Sequence, residues 1–192
     1  MLTIDWIRHT SLQISGELCY GQTDVRVADS FPHEAEVVKT LLQHHKYDAI
    51  YTSPLSRALK LCEHCGFSSI AIPDERVMER SFGAWELKTW AEIEELLQTH
   101  PDRHTFVDHT GHIVPPNGET MDDLLLRVKS FITDLRMMRY RRVAVFCHGG
   151  VVNTARYLHG AIDMERIFTH VPDYGSITTL EYTHLDSRIC VE

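Results

Sequence analysis

Hydrophobic positions along the chain follow two periods. Runs rich in β-branched and aromatic residues at Leu2–Arg8, 48–52, 143–147 and Ile177–Tyr182 predict strands, with a weaker one at 70–72. Val143-Ala144-Val145-Phe146-Cys147 is apolar without interruption, the pattern of a strand covered on both faces. Between the runs the spacing becomes helical. Phe31, Ala35, Val38 and Leu42 recur on one helix face, with Ser30 placed to cap and Pro32 in the first turn. A longer stripe, Met121, Leu124, Leu125, Val128, Phe131, Ile132 and Leu135, is opened by Thr120 with Asp123 three residues on. A third helix is expected from Pro54 to about Cys65, and a fourth begins near Gly149. Strands alternating with helices predict a three-layer α/β/α sandwich with a mostly parallel central sheet. Residues 74–116 depart from the alternation, with Trp85, Trp90, a short helix and a His-rich loop. This stretch is expected to be a lid-like insertion over one sheet edge, within a single domain spanning 1–192.

Composition narrows the function classes. The chain has 192 residues, 43% hydrophobic and 24% charged, which is globular usage and excludes wholesale disorder. Its net charge of -8 argues against a nucleic-acid or membrane-surface binder, since either partner selects a basic face. A small anionic substrate stays open, because a few converging arginines make a local positive pocket. No apolar run reaches the about 18–20 residues that span a bilayer, and the N-terminus lacks the basic start of a signal peptide. Five scattered cysteines predict free thiols and a cytoplasmic setting rather than a disulfide framework.

In an open α/β sheet, ligands bind beyond the carboxyl ends of the strands. The first strand ends in Arg8-His9-Thr10, the second in Thr52-Ser53-Pro54 with Arg57 on the next helix, and the 143–147 strand in His148-Gly149-Gly150. Two histidines and two arginines therefore converge if these strands are neighbours. The set suits phosphoryl transfer. Arginine forks hold phosphate oxygens and stay charged at any working pH. Backbone N–H groups at the Gly149-Gly150 helix start add an anion site, and a neutral imidazole is a competent nucleophile. Glu79, in the insertion, is the candidate acid for the leaving oxygen.

Arg8-His9-Thr10, Thr52-Ser53-Pro54-Leu55-Ser56-Arg57-Ala58, Glu79-Arg80-Ser81-Phe82-Gly83-Ala84-Trp85-Glu86, Pro116-Asn117-Gly118-Glu119-Thr120 and Cys147-His148-Gly149-Gly150-Val151 together resemble the histidine phosphatase, or phosphoglycerate-mutase-like, family. The Cys19-Tyr20-Gly21-Gln22-Thr23-Asp24 segment and the short chain look most like its α-ribazole phosphatase branch. The resemblance implies a phosphomonoesterase acting without a metal or other cofactor on a small phosphate ester, in assembly of the cobalamin nucleotide loop. By position, it assigns His9 as the phosphohistidine nucleophile and Glu79 as acid and then base. Arg8, Arg57, His148 and Gly149 would bind the phosphoryl group, with His148 also in the catalytic set. Tyr20, Gly21, Gln22 and Thr23 would face the rest of the substrate. Thr10 stands where the family usually has Gly, Ser15 where many members carry a phosphate-binding Asn, and Arg26-Val27 where Pro-Leu is frequent. Two alternatives remain: a broad-specificity or mutase-like enzyme on another phosphate ester, and a catalytically silent phospho-ligand-binding module. Oligomeric state is open, a homodimer being only the commonest case.

Blander readings apply to the other candidates. Cys62 and Cys65, on one helix, are expected to be buried small hydrophobes rather than metal ligands. His100, His104, His109 and His112 read as a solvated loop near the site mouth. Trp85 and Trp90 read as core, whereas Tyr20 and Phe82 are candidates for stacking on a nucleoside base. Ser53 is read first as a cap for the following helix.

Overall fold

Strict alternation along the central strand organises the molecule. In the computed structural model, which describes residues 1–99 and 113–185, β4 (Arg142–Cys147) sends Val143, Val145 and Cys147 into one core and Ala144 and Phe146 into another. Five strands lie in the order β3-β2-β4-β1-β5, with β1 at Leu2–Arg8, β2 at Ala49–Thr52, β3 at Ala71–Pro73 and β5 at Ile177–Tyr182. All neighbours are parallel except β5, which runs antiparallel to β1. The expected three-layer α/β/α arrangement is present.

Helices α1 (Phe31–Leu42) and α2 (Ser56–His64) cover one face, burying Ala35, Val38, Leu42, Ala58 and Leu61 against Ile7, Ile50 and Phe146. On the other face lie α4 (Met121–Met137) and α5 (Gly149–Leu158), after α3 (Trp90–Thr99) and before the short α6 (Arg166–Thr169). The α4 stripe is buried as its spacing predicts except at Leu125, which is half-buried, and Phe131 meets Trp6 and Tyr51 edge to face, at centroid distances of 6.0 and 5.2 Å. Each such fully buried side chain contributes about 1.5–3 kcal/mol. Thr120 and Asp123 form a reciprocal capping box at the start of α4.

Local details differ from the sequence expectations. Ser30 makes no capping bond to the backbone; its hydroxyl donates to Glu34, at 2.6 Å. Helix α2 begins at Ser56 with Leu55 at the cap position, not at Pro54. Asp5 lies fully buried inside the apolar β1 run. Arg142 donates to both its oxygens, at 2.7 and 3.0 Å, and the Tyr47 and Thr179 hydroxyls complete its shell. Cys62 and Cys65 are buried in the α1/α2 core, where burial pushes both thiols up to about 12.

Candidate active site

Strand register builds the site. Because β1 and β4 pair with Arg8 opposite Cys147, the residues just beyond them, His9 and His148, come side by side with ring centroids 5.2 Å apart. The β2 end brings Ser53 and the first turn of α2 brings Arg57, both fully buried. Of the residues assigned from sequence, His9, His148, Arg8, Arg57, Glu79, Gly149 and the 20–23 segment all gather at this end of the sheet.

The hydrogen bonds assign the tautomers. His9 Nδ1 lies 2.8 Å from the Thr10 carbonyl, which only accepts, so Nδ1 carries a proton, and burial and the Arg57 charge, which disfavour a second one, leave the Nε2 lone pair available. His148 is the reverse. Its Nδ1 accepts from Arg57 Nε at 3.2 Å, and its Nε2 donates to Ser53 Oγ at 2.8 Å. Both rings are therefore neutral, and His148 uses both nitrogens on protein neighbours. Ser53 Oγ also accepts the Leu55 N–H at 3.2 Å. It orients His148 instead of capping α2.

The arginines differ in their freedom. Arg57 donates Nη1 to Thr23 O at 2.9 Å and Nη2 to Gly21 O at 2.6 Å, besides its bond to His148. Three of its five N–H groups are thus used, and two remain for an anion. Arg8 donates Nη1 to the Pro172 carbonyl, while its Nε is buried without any acceptor among the described residues. A buried unpaired donor on a charged group costs about 1–3 kcal/mol or more, so Arg8 Nε could donate to an anion. Glu79 sits across the site. Its Oε2 accepts the Gly150 N–H at 3.0 Å and its Oε1 the Arg80 N–H at 2.9 Å. A Cβ on Gly150 would collide with Glu79 and Phe168, which would have to shift. A Cβ on Gly149 would collide with Val171 and press on Arg8 Nε.

Charge and burial set the protonation of the pair. Burial first, then the Arg57 and Arg8 charges, hold His9 well below the usual histidine range against the opposing Thr10 bond. Burial, Arg57 and His9 do the same for His148. The unfolded rings titrate near pH 6.5, so the contribution of these groups to stability is complete above that pH. Below it, the unfolded chain binds two protons that the native site refuses. Stability is therefore expected to fall by about 1.4 kcal/mol per pH unit for each ring until the folded values are reached. Denaturant titrations at pH 7, 6 and 5 measure this, and His148→Gln removes one ring's share of the slope.

Several roles went unread in the sequence. Glu86 accepts from the backbone N–H of Gln22, Thr23 and Phe82, at 2.9, 2.6 and 3.0 Å, and so staples the 20–23 segment to the 82 turn. Arg127 on α4 holds the Met78 and Glu79 carbonyls, at 2.6 and 3.1 Å, and pairs with Glu119. Tyr174, on the loop before β5, contacts Arg8, His9 and Tyr20. Glu86 and Glu119 fall inside quoted motifs, but nothing in the local pattern reports their partners. Ser15 is exposed, and its hydroxyl accepts only the Glu17 N–H among the described contacts, at 3.3 Å.

A cavity of about 630 Å³ opens from the Arg8, Glu79 and Gly150 end and runs between apolar walls that include Phe82, Trp90, Ile93, Leu97 and Phe168. Trp85 is buried as expected, but Trp90 is 48% exposed and lines this cavity rather than the core. Tyr20, Gly21 and Phe82 line it; Gln22 and Thr23 point their polar groups at Glu79 and Glu86. The four histidines 100, 104, 109 and 112 lie outside the described residues. Among the described residues no His, Cys, Asp and Glu cluster has the makings of a metal site, and no helix is long and apolar enough to cross a membrane.

The family model of the histidine phosphatase superfamily (branch 1) matches residues 5–190. The chain belongs to this superfamily. As a histidine phosphatase it is 30% identical over 141 residues to the putative phosphoserine phosphatase 2 of Hydrogenobacter thermophilus, covering 70% of this chain and 66%, just under two thirds, of that protein. It is 31% identical over 160 residues to a 2,3-bisphosphoglycerate-dependent phosphoglycerate mutase of Mesorhizobium japonicum, covering 74% of this chain and 72% of the mutase. Among solved structures it superposes on Bacillus stearothermophilus YhfR with a TM-score of 0.77, at 26% identity over 94% of this chain and 91% of that one. The α-ribazole phosphatase of Shigella flexneri shares the fold at a TM-score of 0.74 and 21% identity, over 93% and 90% of the two chains.

Proposed function

We propose that the chain hydrolyses phosphate monoesters through a phosphohistidine on His9, with α-ribazole 5′-phosphate as its substrate. The observation that carries the reading is the neutral His9 ring, its Nε2 lone pair available, lying between the Arg57 and Arg8 charges. Nε2 attacks phosphorus, the bond to the substrate's ester oxygen breaks, and Glu79 gives that oxygen its proton. The alcohol leaves. Glu79 then takes a proton from water as the water oxygen attacks the phosphohistidine, and inorganic phosphate and free His9 result. Arg8, the two unspent N–H groups of Arg57 and the Gly149 helix start hold the phosphoryl oxygens, a fixed positive frame that stands in for a divalent cation. His148 has a narrower part than its motif implies: with both nitrogens engaged it orients Arg57.

Support for the substrate comes from the leaving-group side. Tyr20, Phe82, Trp90 and Phe168 give the cavity flat aromatic walls, which suit a base-bearing alcohol better than a glycerate or a serine. The test is phosphate release in excess EDTA from α-ribazole 5′-phosphate, phosphoserine and 3-phosphoglycerate, the last with and without 2,3-bisphosphoglycerate. The expected kcat/KM for α-ribazole 5′-phosphate is at least about tenfold above the others, since one well-filled apolar subsite is worth about 1–3 kcal/mol. Priming by bisphosphoglycerate with isomerisation of phosphoglycerate would instead make the enzyme a mutase.

A further inference from the structure

Two phenols connect the two arginines of the site. Tyr174 lays its ring on the Arg8 guanidinium, whose central carbon is 3.9 Å from the ring centroid. The same ring lies against His9, centroid to centroid 5.5 Å. Its hydroxyl meets the Tyr20 hydroxyl at 3.2 Å, and the Tyr20 ring lies 5.4 Å from the Arg57 guanidinium carbon. The arc Arg8–Tyr174–Tyr20–Arg57 thus runs beside the nucleophile. Each arginine is backed by one aromatic face, and the faces are tied through their hydroxyls.

Arg8 depends on this backing more than Arg57 does. Arg57 is held by three hydrogen bonds, whereas Arg8 makes a single side-chain bond, to Pro172, and its Nε has no acceptor among the described residues. The loop that supplies Pro172 also supplies Tyr174, and it is fixed to β1 by two backbone bonds. Gly175 N donates to His9 O, and Arg8 N donates to Ser176 O, both at 3.0 Å. The ring is therefore carried on backbone that moves with Arg8 and His9. A cation facing an aromatic ring is attracted to its negative face without using up an N–H donor. A hydrogen-bonding residue in the same place would occupy donors the anion needs.

We propose that Tyr174 is the positioning residue for Arg8: its aromatic face holds the guanidinium in the phosphoryl site while leaving the Nε donor for the anion, and the Tyr20 hydroxyl fixes the angle of that face. The proposal rests on the reading of Arg8 as a phosphoryl clamp. It predicts an effect on anion binding that follows aromaticity rather than bulk.

Orthovanadate is the probe, titrated calorimetrically so that the result does not depend on turnover. Tyr174→Leu, which fills space but has no π face, is expected to weaken vanadate binding about tenfold. Tyr174→Phe is expected to stay within about threefold of wild type, and Tyr174→Trp to match it. In an Arg8→Ala background, Tyr174→Leu should cause no further loss, because its effect passes through Arg8. Tyr174 is 39% exposed, so these variants are expected to fold, and equal thermal midpoints check it. A wild-type affinity for Tyr174→Leu, beside a weakened Arg8→Ala, would overturn the proposal and leave the clamp reading intact. An Arg8→Ala variant that binds vanadate as wild type does would overturn the clamp reading, and the proposal with it. Losses that add in the double variant would assign Tyr174 a direct contact and overturn the positioning role.

Discussion

His9→Ala is expected to abolish turnover of phosphate monoesters, with kcat reduced by at least about 10⁴-fold, the scale seen when a covalent nucleophile is removed. The two imidazoles of the site are not interchangeable. His9 has its proton fixed on Nδ1 by the Thr10 carbonyl, whereas His148 has Arg57 on one nitrogen and Ser53 on the other. An attacking lone pair is available on His9 alone of the two. Burial and the Arg57 and Arg8 charges keep that ring unprotonated, so the nucleophile needs no base to activate it. His148→Ala should slow the reaction through a misplaced Arg57 but still form the phosphoenzyme. The measurement is a rapid quench into base with radiolabelled substrate. Label retained by His148→Ala and absent from His9→Ala is the expected outcome. Label persisting in His9→Ala would move the nucleophile elsewhere.

How much of this was legible in the sequence follows from the range of each interaction. The strands could be read because β4 is apolar from Val143 to Cys147 and β1 is rich in β-branched and aromatic residues, and helix α4 because its stripe and capping box are local. The positions of Arg8, His9 and His148 were legible because they stand at or directly beyond the carboxyl ends of parallel strands, where ligands bind in such sheets. What hid from view depends on partners distant along the chain. Asp5 interrupts an apolar run, and only Arg142, Tyr47 and Thr179 together explain how its charge is accommodated. Arg127 looks like an ordinary polar helix position until Glu119 and the Glu79 carbonyl close around it. Trp90 was read as core because large aromatics usually are, yet it walls the cavity. The contact of Arg8 with Tyr174 joins the end of the first strand to the loop before the last, and no local pattern encodes it.

Arg57→Ala is expected to cost about 10³-fold in kcat/KM and to destabilise the fold, because one guanidinium serves the anion, the 20–23 segment and His148 at once. It is fully buried. Its removal leaves the Gly21 and Thr23 carbonyls and His148 Nδ1 without their donors, at about 1–3 kcal/mol for each buried group that finds no substitute. The kinetic loss compounds a missing phosphoryl ligand, typically about 10²–10³ for one preorganised donor, with a loosened His148. A further effect separates charge from geometry. After burial, the Arg57 charge is the largest influence lowering His9, so its loss should raise the pH at which His9 protonates, toward the ordinary value near 6.5. The acidic limb of kcat/KM should move up with it. Arg57→Lys keeps the charge but has no planar fork to reach three acceptors. It should return the acidic limb to the wild-type position while recovering little of the rate. If lysine restored the rate and the limb together, charge alone would suffice and the hydrogen-bonded frame around Gly21, Thr23 and His148 would be incidental. If Arg57→Ala left the limb in place, His9 would not be the group whose protonation limits the reaction on the acid side.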